Sequence, residues 1–217
     1  MSNHETTRRL ALVTPLLALA ACDAPVGPTE GALLAPPPAL ASMGSPERAD
    51  VMNQGGAGVY AADGATVVRQ TNGLRMSIKM PTPEPDTYVY PAGTEAGHPE
   101  VFTLWAFIFN FPELCDGPCD GNDLGADAAA KGSVYNVGGH VASGNWLTIS
   151  GRVGVGEPAL APPGVTPTPL VNPAGAVIHL AVTSHGALDP STLPTEFRIP
   201  TGSPACACWW LAVFEAP

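Results

Sequence analysis

Leu74-Arg75-Met76-Ser77-Ile78-Lys79-Met80 alternates apolar and polar residues without a break. A period of two predicts a strand with one dry and one wet face. Thr66 to Arg69 predicts its partner strand, turning at Thr71-Asn72-Gly73, where Asn-Gly favours a tight hairpin. Val101 to Phe111 reads VFTLWAFIFNF, apolar on both faces, and predicts a central strand that Pro112 ends. Ser133 to Val141 and Trp146 to Val155 predict a second hairpin, turning at Ser143-Gly144-Asn145. In its second arm Leu147, Ile149, Val153 and Val155 face in, and Trp146, Thr148, Ser150 and Arg152 face out. Ala176 to His185 predicts a strand with Ile178, Leu180 and Val182 on one face, and Trp209 to Phe214 a last strand. Helix is nearly absent; Asp123 to Lys131 has room for a turn or two. Glu157 to Gly175, with six prolines, and Gly186 to Pro204 read as long loops. Together these elements predict an all-β chain, an antiparallel β-sandwich of about eight strands with long Pro/Gly-rich loops; a barrel is the alternative.

Before the strands the pattern changes. Met1 to Arg9 is polar and ends in two arginines; Leu10 to Ala21 is apolar apart from Thr14 and Pro15. This run is too short to span a bilayer as a helix and has the form of an export signal. It closes on Leu19-Ala20-Ala21-Cys22, which resembles the lipobox of bacterial lipoproteins. The resemblance implies cleavage before Cys22, a diacylglycerol on its thiol and acylation of the new α-amine; two or three acyl chains give stable attachment. An ordinary signal peptide with a chance cysteine is the plainer alternative. Thr7-Arg8-Arg9 partly resembles a twin-arginine signal, though two ordinary n-region charges explain it as well. The expected organisation is a signal peptide over 1–21, a lipidated Cys22 with a disordered Pro/Ala-rich tether over 22–50, and a single β domain over 51–217. The expected location is the bacterial cell envelope, on its periplasmic face or the cell surface, with the membrane reached through lipid.

Charge narrows the partners. The chain carries 9 Lys and Arg against 19 Asp and Glu. Removing residues 1–21 takes away Arg8, Arg9 and Glu5 and leaves a net charge of −11. Phosphate binding needs clustered Lys and Arg, so nucleic acid is not an expected partner. Gly and Pro together make 49 of 217 residues, which favours turns over long helices.

Five cysteines are an odd number for an exported protein. Assigning Cys22 to lipid leaves Cys115, Cys119, Cys206 and Cys208, which outside the cytoplasm should form disulfides. Local pairing, Cys115–Cys119 and Cys206–Cys208, is the expectation. Crossed pairing and a four-thiolate zinc site are the alternatives.

Candidate chemistry is sparse. His179 and His185 share strand parity opposite the Ile178, Leu180, Val182 face, so both are expected to point outward. Six residues of strand, about 20 Å, is too long for both to reach one metal ion. A metal site would need His140 with one of them, brought together by folding. Asp116, Asp120, Asp123 and Asp127 crowd a Gly-rich loop suited to structural calcium. Pro118 at a ligand offset and the lack of flanking helices exclude an EF-hand; a solvated acidic loop is the plainer reading. Gly-x-Ser-x-Gly, phosphate loops and dinucleotide fingerprints are absent. Trp105 and Trp209 or Trp210 read as core, whereas Trp146 sits outward beside a turn, where it could stack on a sugar.

Thr103-Leu104-Trp105 running to Asn110 and Pro112, then Cys115 and Cys119, resembles a group of exported bacterial proteins without assigned activity. Asn172-Pro173-x-Gly175-Ala176, Ile178-His179 and His185-Gly186 also match, as does a late cysteine pair. The resemblance implies a secreted β domain and no mechanism. No cofactor and no catalytic residue is predicted. A lipid-anchored, non-enzymatic protein that binds or displays is the first reading. A metal-dependent enzyme using His140, His179 or His185, and a carbohydrate-binding module using Trp146, are the alternatives.

Overall fold

The structure, a computed structural model, describes residues 44–53, 58–84, 99–161, 164–193 and 210–217. The expected export signal, Cys22 and most of the expected tether, with Cys206, Cys208 and Trp209, lie outside the described residues.

Among the described residues eight strands are formed: β1 (Pro46–Met52), β2 (Val59–Gln70), β3 (Gly73–Pro81), β4 (Glu100–Phe109), β5 (Gly132–Val141), β6 (Trp146–Gly154), β7 (Val177–Ala187) and β8 (Trp210–Phe214). They make one antiparallel sheet in the order β5-β4-β7-β8-β1-β2-β3-β6. The all-β antiparallel expectation therefore holds, with an arrangement between sandwich and barrel. Among the described residues no helix is long and apolar enough to cross a membrane.

Alternation does what simple burial energetics requires. On β3 Leu74, Met76, Ile78 and Met80 are buried, while Arg75 and Lys79 are exposed. On β6 Leu147, Ile149 and Val153 are buried beneath exposed Trp146, Thr148, Ser150 and Arg152. These dry faces join Phe102, Leu104, Ile108, Ile178, Leu180 and Phe214 in one core enclosed by the sheet. The β2–β3 hairpin turns as expected at Thr71-Asn72, with Gln70 opposite Gly73. Gly73 has φ +151°, and a Cβ there would lie 2.2 Å from the Val153 carbonyl oxygen, so glycine is required.

Three expectations are corrected. First, β5 and β6 form no hairpin. β6 finds a full ladder on β3, from Gly73 opposite Gly154 to Pro81 opposite Trp146, in which both dry faces and both wet faces match. β5 pairs with β4, so the two consecutive strands become the two edges of the sheet. They still approach each other: a Cβ on Gly151 would lie 2.1 Å from the Val137 carbonyl oxygen. Val137 is the extra residue of a bulge, between Asn136 opposite Trp105 and Gly138 opposite Leu104.

Second, the domain does not begin at residue 51. β1 takes Pro46–Met52 out of the expected tether and pairs with β2. Its only fully buried apolar residue is Val51, so hydrophobic periodicity could not announce it. Glu47 holds it instead, through an ion pair to Arg69 at 2.8 Å.

Third, the second face of β7 is not open to solvent. The segment between β4 and β5 folds back over it, so Trp105, Val134 and Ala181 pack with Phe107 and Leu124, and Phe109 and Val177 pack with Cys119. This cover is why β4 reads as apolar on both faces.

Candidate functional site

Of the predicted site residues, Cys22, Cys206 and Cys208 lie outside the described residues; the others can be placed, Asp116 and Asp127 as exposed loop positions. Cys115 and Cys119 are disulfide-bonded with their Cα atoms 5.3 Å apart, as local pairing requires. Cys206–Cys208 lies outside the described residues. The bond closes the loop that caps Phe109 and Val177, a structural position.

The acidic loop does not gather its carboxylates. Asp120 accepts from the Asn122 N–H at 2.7 Å and Asp123 from the Asp120 N–H at 2.9 Å, so both cap a short 3-10 turn, Gly121–Asp123. Among the described residues the one cluster of three potential metal ligands is Cys115, Cys119 and Asp123. Two of these are disulfide sulfurs, whose lone pairs are poor substitutes for thiolates.

The histidines separate too. His140 is exposed on edge strand β5, opposite Phe102. His179 is half-buried, with its ring edge-on to Phe109 at 5.1 Å. Burial pushes its pKa below the usual histidine value, against the pull of Glu215. His185 is not the outward residue expected: it is 4% exposed. It is the extra residue of a bulge, between Ser184 opposite Phe102 and Gly186 opposite Val101, and Gly186 takes φ +95° to permit it. Its Nε2 meets the Thr103 hydroxyl, with Thr183 and Ser184 fully buried beside it. Among the described residues the three histidines do not bring their nitrogens together as one ligand set.

Two polar centres went unforeseen, and both are structural. Arg69 is 1% exposed and extends β2's inward parity after Ala65 and Val67. Its guanidinium donates to Glu47 Oε1 at 2.8 Å and to the carbonyls of Pro173, Ala176 and Glu215 at 3.1, 2.6 and 3.0 Å. Asn110 donates through Nδ2 to the Lys131 and Pro169 carbonyls and accepts through Oδ1 from the Val171 and Asn172 N–H groups. Asn172 returns a bond to the Asn110 carbonyl at 2.9 Å. Asn110 and Asn172 thus tie the ends of β4 and β7 to the proline-rich loop.

The remaining candidate surface is the outer face of β3 and β6. Trp146 is 54% exposed, in contrast to Trp105 and Trp210, which are buried as expected. From Trp146 the ladder runs in rows: Pro81 with Trp146, Lys79 with Thr148, Ser77 with Ser150, Arg75 with Arg152. Lys79 Nζ stands 5.1 Å from the centroid of the Trp146 ring. A groove of about 410 Å³ opens along Thr66, Arg75, Ser77, Ser150 and Arg152. Nothing in it resembles a nucleophile with a base. With Trp146 and Lys79 farther along the same face, the surface offers hydrogen-bond donors, cations and one aromatic face, the inventory of a binding surface.

No protein-family model, curated protein or solved structure matches the chain, so neither the lipoprotein resemblance nor the exported-protein resemblance is tested by such comparison.

Proposed function

We propose that this chain is a lipid-anchored cell-envelope protein that binds a polysaccharide through the outer face of β3 and β6 and catalyses no reaction. The observation that carries the reading is Trp146, exposed in line with Lys79, Thr148, Ser77 and Ser150 on a rigid ladder. An aromatic side chain held by packed strands, beside hydroxyl and ammonium donors, stacks on a sugar ring and hydrogen-bonds its hydroxyls at small entropic cost. The anchor rests on Leu19-Ala20-Ala21-Cys22. A glycan array tests the binding: wild type should retain a defined set of glycans, and Trp146→Ala should lose them while its melting temperature stays unchanged. A Trp146→Ala protein with the wild-type profile would remove the basis for the reading. Mass analysis of the mature N-terminal peptide tests the anchor. Acyl mass on Cys22, lost in Cys22→Ser, supports it, and an unmodified Cys22 contradicts it.

A further inference from the structure

Arg75 and Arg152 lie directly opposite one another in the β3–β6 ladder. Like charges so placed repel, because facing Cβ atoms in a sheet are only about 4.5–5.5 Å apart. Among the described residues neither has an acidic partner within 4.0 Å. The next row continues across the sheet as Arg48, Thr66, Ser77 and Ser150, one cation followed by three hydroxyls. Lys79 adds a further cation two rows beyond Arg75 on the same face. Four of the chain's nine Lys and Arg therefore occupy one sheet face of a protein with net charge −10. Two carboxylates stand at its rim: Glu157, which lines a small pocket with Arg75 and Arg152, accepts from the Gly154 N–H at 2.8 Å, and Asp50 accepts from the Asp63 N–H at 2.8 Å; neither reaches ion-pair distance of the arginines.

We propose that this stripe binds the carboxylates of a linear acidic polysaccharide, one built on uronic acids; the proposal rests on the glycan-binding reading and specifies the ligand's charge. Two facing guanidinium forks match a carboxylate, which accepts two parallel N–H bonds and relieves the repulsion between them. The hydroxyl row meets the sugar's own hydroxyls. Lys79 lies four residues along the strand from Arg75, about 13 Å, and takes a second carboxylate of the same polymer. Drawing Lys79 away from Trp146 bares the ring for stacking, so charge recognition and stacking reinforce one another. An anionic membrane fits less well. The chain's net negative charge opposes approach to an anionic surface, whereas a single polymer strand touches only the basic stripe.

The test is calorimetric titration of the Cys22→Ser chain, which carries no acyl group to insert into a vesicle, at low salt with three probes: a galacturonate decamer, its methyl ester, and phosphatidylglycerol vesicles. The decamer should bind at least tenfold tighter than its ester, with an advantage that shrinks as salt rises. Arg75→Gln/Arg152→Gln should lose that advantage while melting at or above the wild-type temperature, because the like-charge pair is gone. Equal binding of decamer and ester overturns this inference and leaves the glycan reading standing. Vesicle binding without decamer binding overturns both in favour of a lipid surface, and binding to none of the three overturns the inference. A double variant that keeps full preference for the decamer overturns the assignment to these arginines.

Discussion

Arg69 and Arg75 belong to one hairpin, six residues apart, and behave oppositely. Arg69 points inward and is nearly sealed from solvent, with a carboxylate and three carbonyls accepting from it. Arg75 points outward and faces another arginine. The contrast extends to the two halves of the sheet. Around β4 and β7 the disulfide loop covers the second face at Phe109 and Val177, and farther along the same strands Thr103, Thr183 and His185 are buried as well. Around β3 and β6 the second face is bare, with alternation clean from end to end. In the covered half Thr103 meets His185 and Asn110 ties down the proline-rich loop, although Trp105 Nε1 and Asn136 Nδ2 are buried without a hydrogen-bond partner among the described residues. In the bare half Arg75 and Arg152 face one another with no carboxylate at ion-pair distance among the described residues, which leaves them open to an acidic ligand. Being polar on a strand does not identify function; being polar, clustered and unanswered does.

Mutations should separate the halves. Arg69→Met leaves Glu47 unpaired and three carbonyls without their donor, and should destabilise by about 3–5 kcal/mol, lowering the melting temperature by roughly 6–20 °C. Asn110→Ala breaks the link between β4 and the proline-rich loop and should lose about 2–4 kcal/mol in urea unfolding. Removing the Cys115–Cys119 bond by a double serine change opens a loop with a sequence separation of only 4, and should lose about 2 kcal/mol.

His179 gives a smaller, pH-dependent effect. Its pKa is depressed in the folded state, so the unfolded chain binds more protons once pH falls below the unfolded value of about 6.5. Stability should be fully present above that pH and decline as pH drops through 6.5 toward the lower folded value. His179→Gln should flatten this part of the unfolding-versus-pH curve. A wild-type curve that rises on acidification across this window contradicts the assignment. Smallest of all, Arg75→Gln and Trp146→Ala should each stay within about 0.5 kcal/mol of wild type. A large loss at either would make the bare face structural and erase the contrast.

Parity was legible wherever burial alternates. Leu74 to Met80 and Trp146 to Arg152 announced both their strands and their outward residues, because one face of each meets water. What alternation cannot carry is partner choice. The short Ser143-Gly144-Asn145 turn suggested that β5 and β6 pair, yet the better ladder for β6 lay on β3, far away in sequence. The facing arginines were invisible until that register was known. Parity also cannot tell solvent from a covered face: His185 has the outward parity, yet it is buried against Thr103. Arg69 did leave a signal, a charge continuing the inward series of Ala65 and Val67, which marks a buried ion seeking acceptors. β1 left almost none, since one buried valine and a buried ion-pair partner carry it.

The most direct test of the division into covered and bare halves is a nitrogen-15 NMR titration of the full-length chain with the galacturonate decamer. The expected result is saturable shift changes confined to the outer rows of β2, β3 and β6, centred on Arg75, Ser77, Lys79, Thr148, Ser150 and Arg152, while the amides around Thr103 and His185 stay still. Shifts centred on His179 and His185, or none at concentrations where calorimetry reports binding, would contradict it.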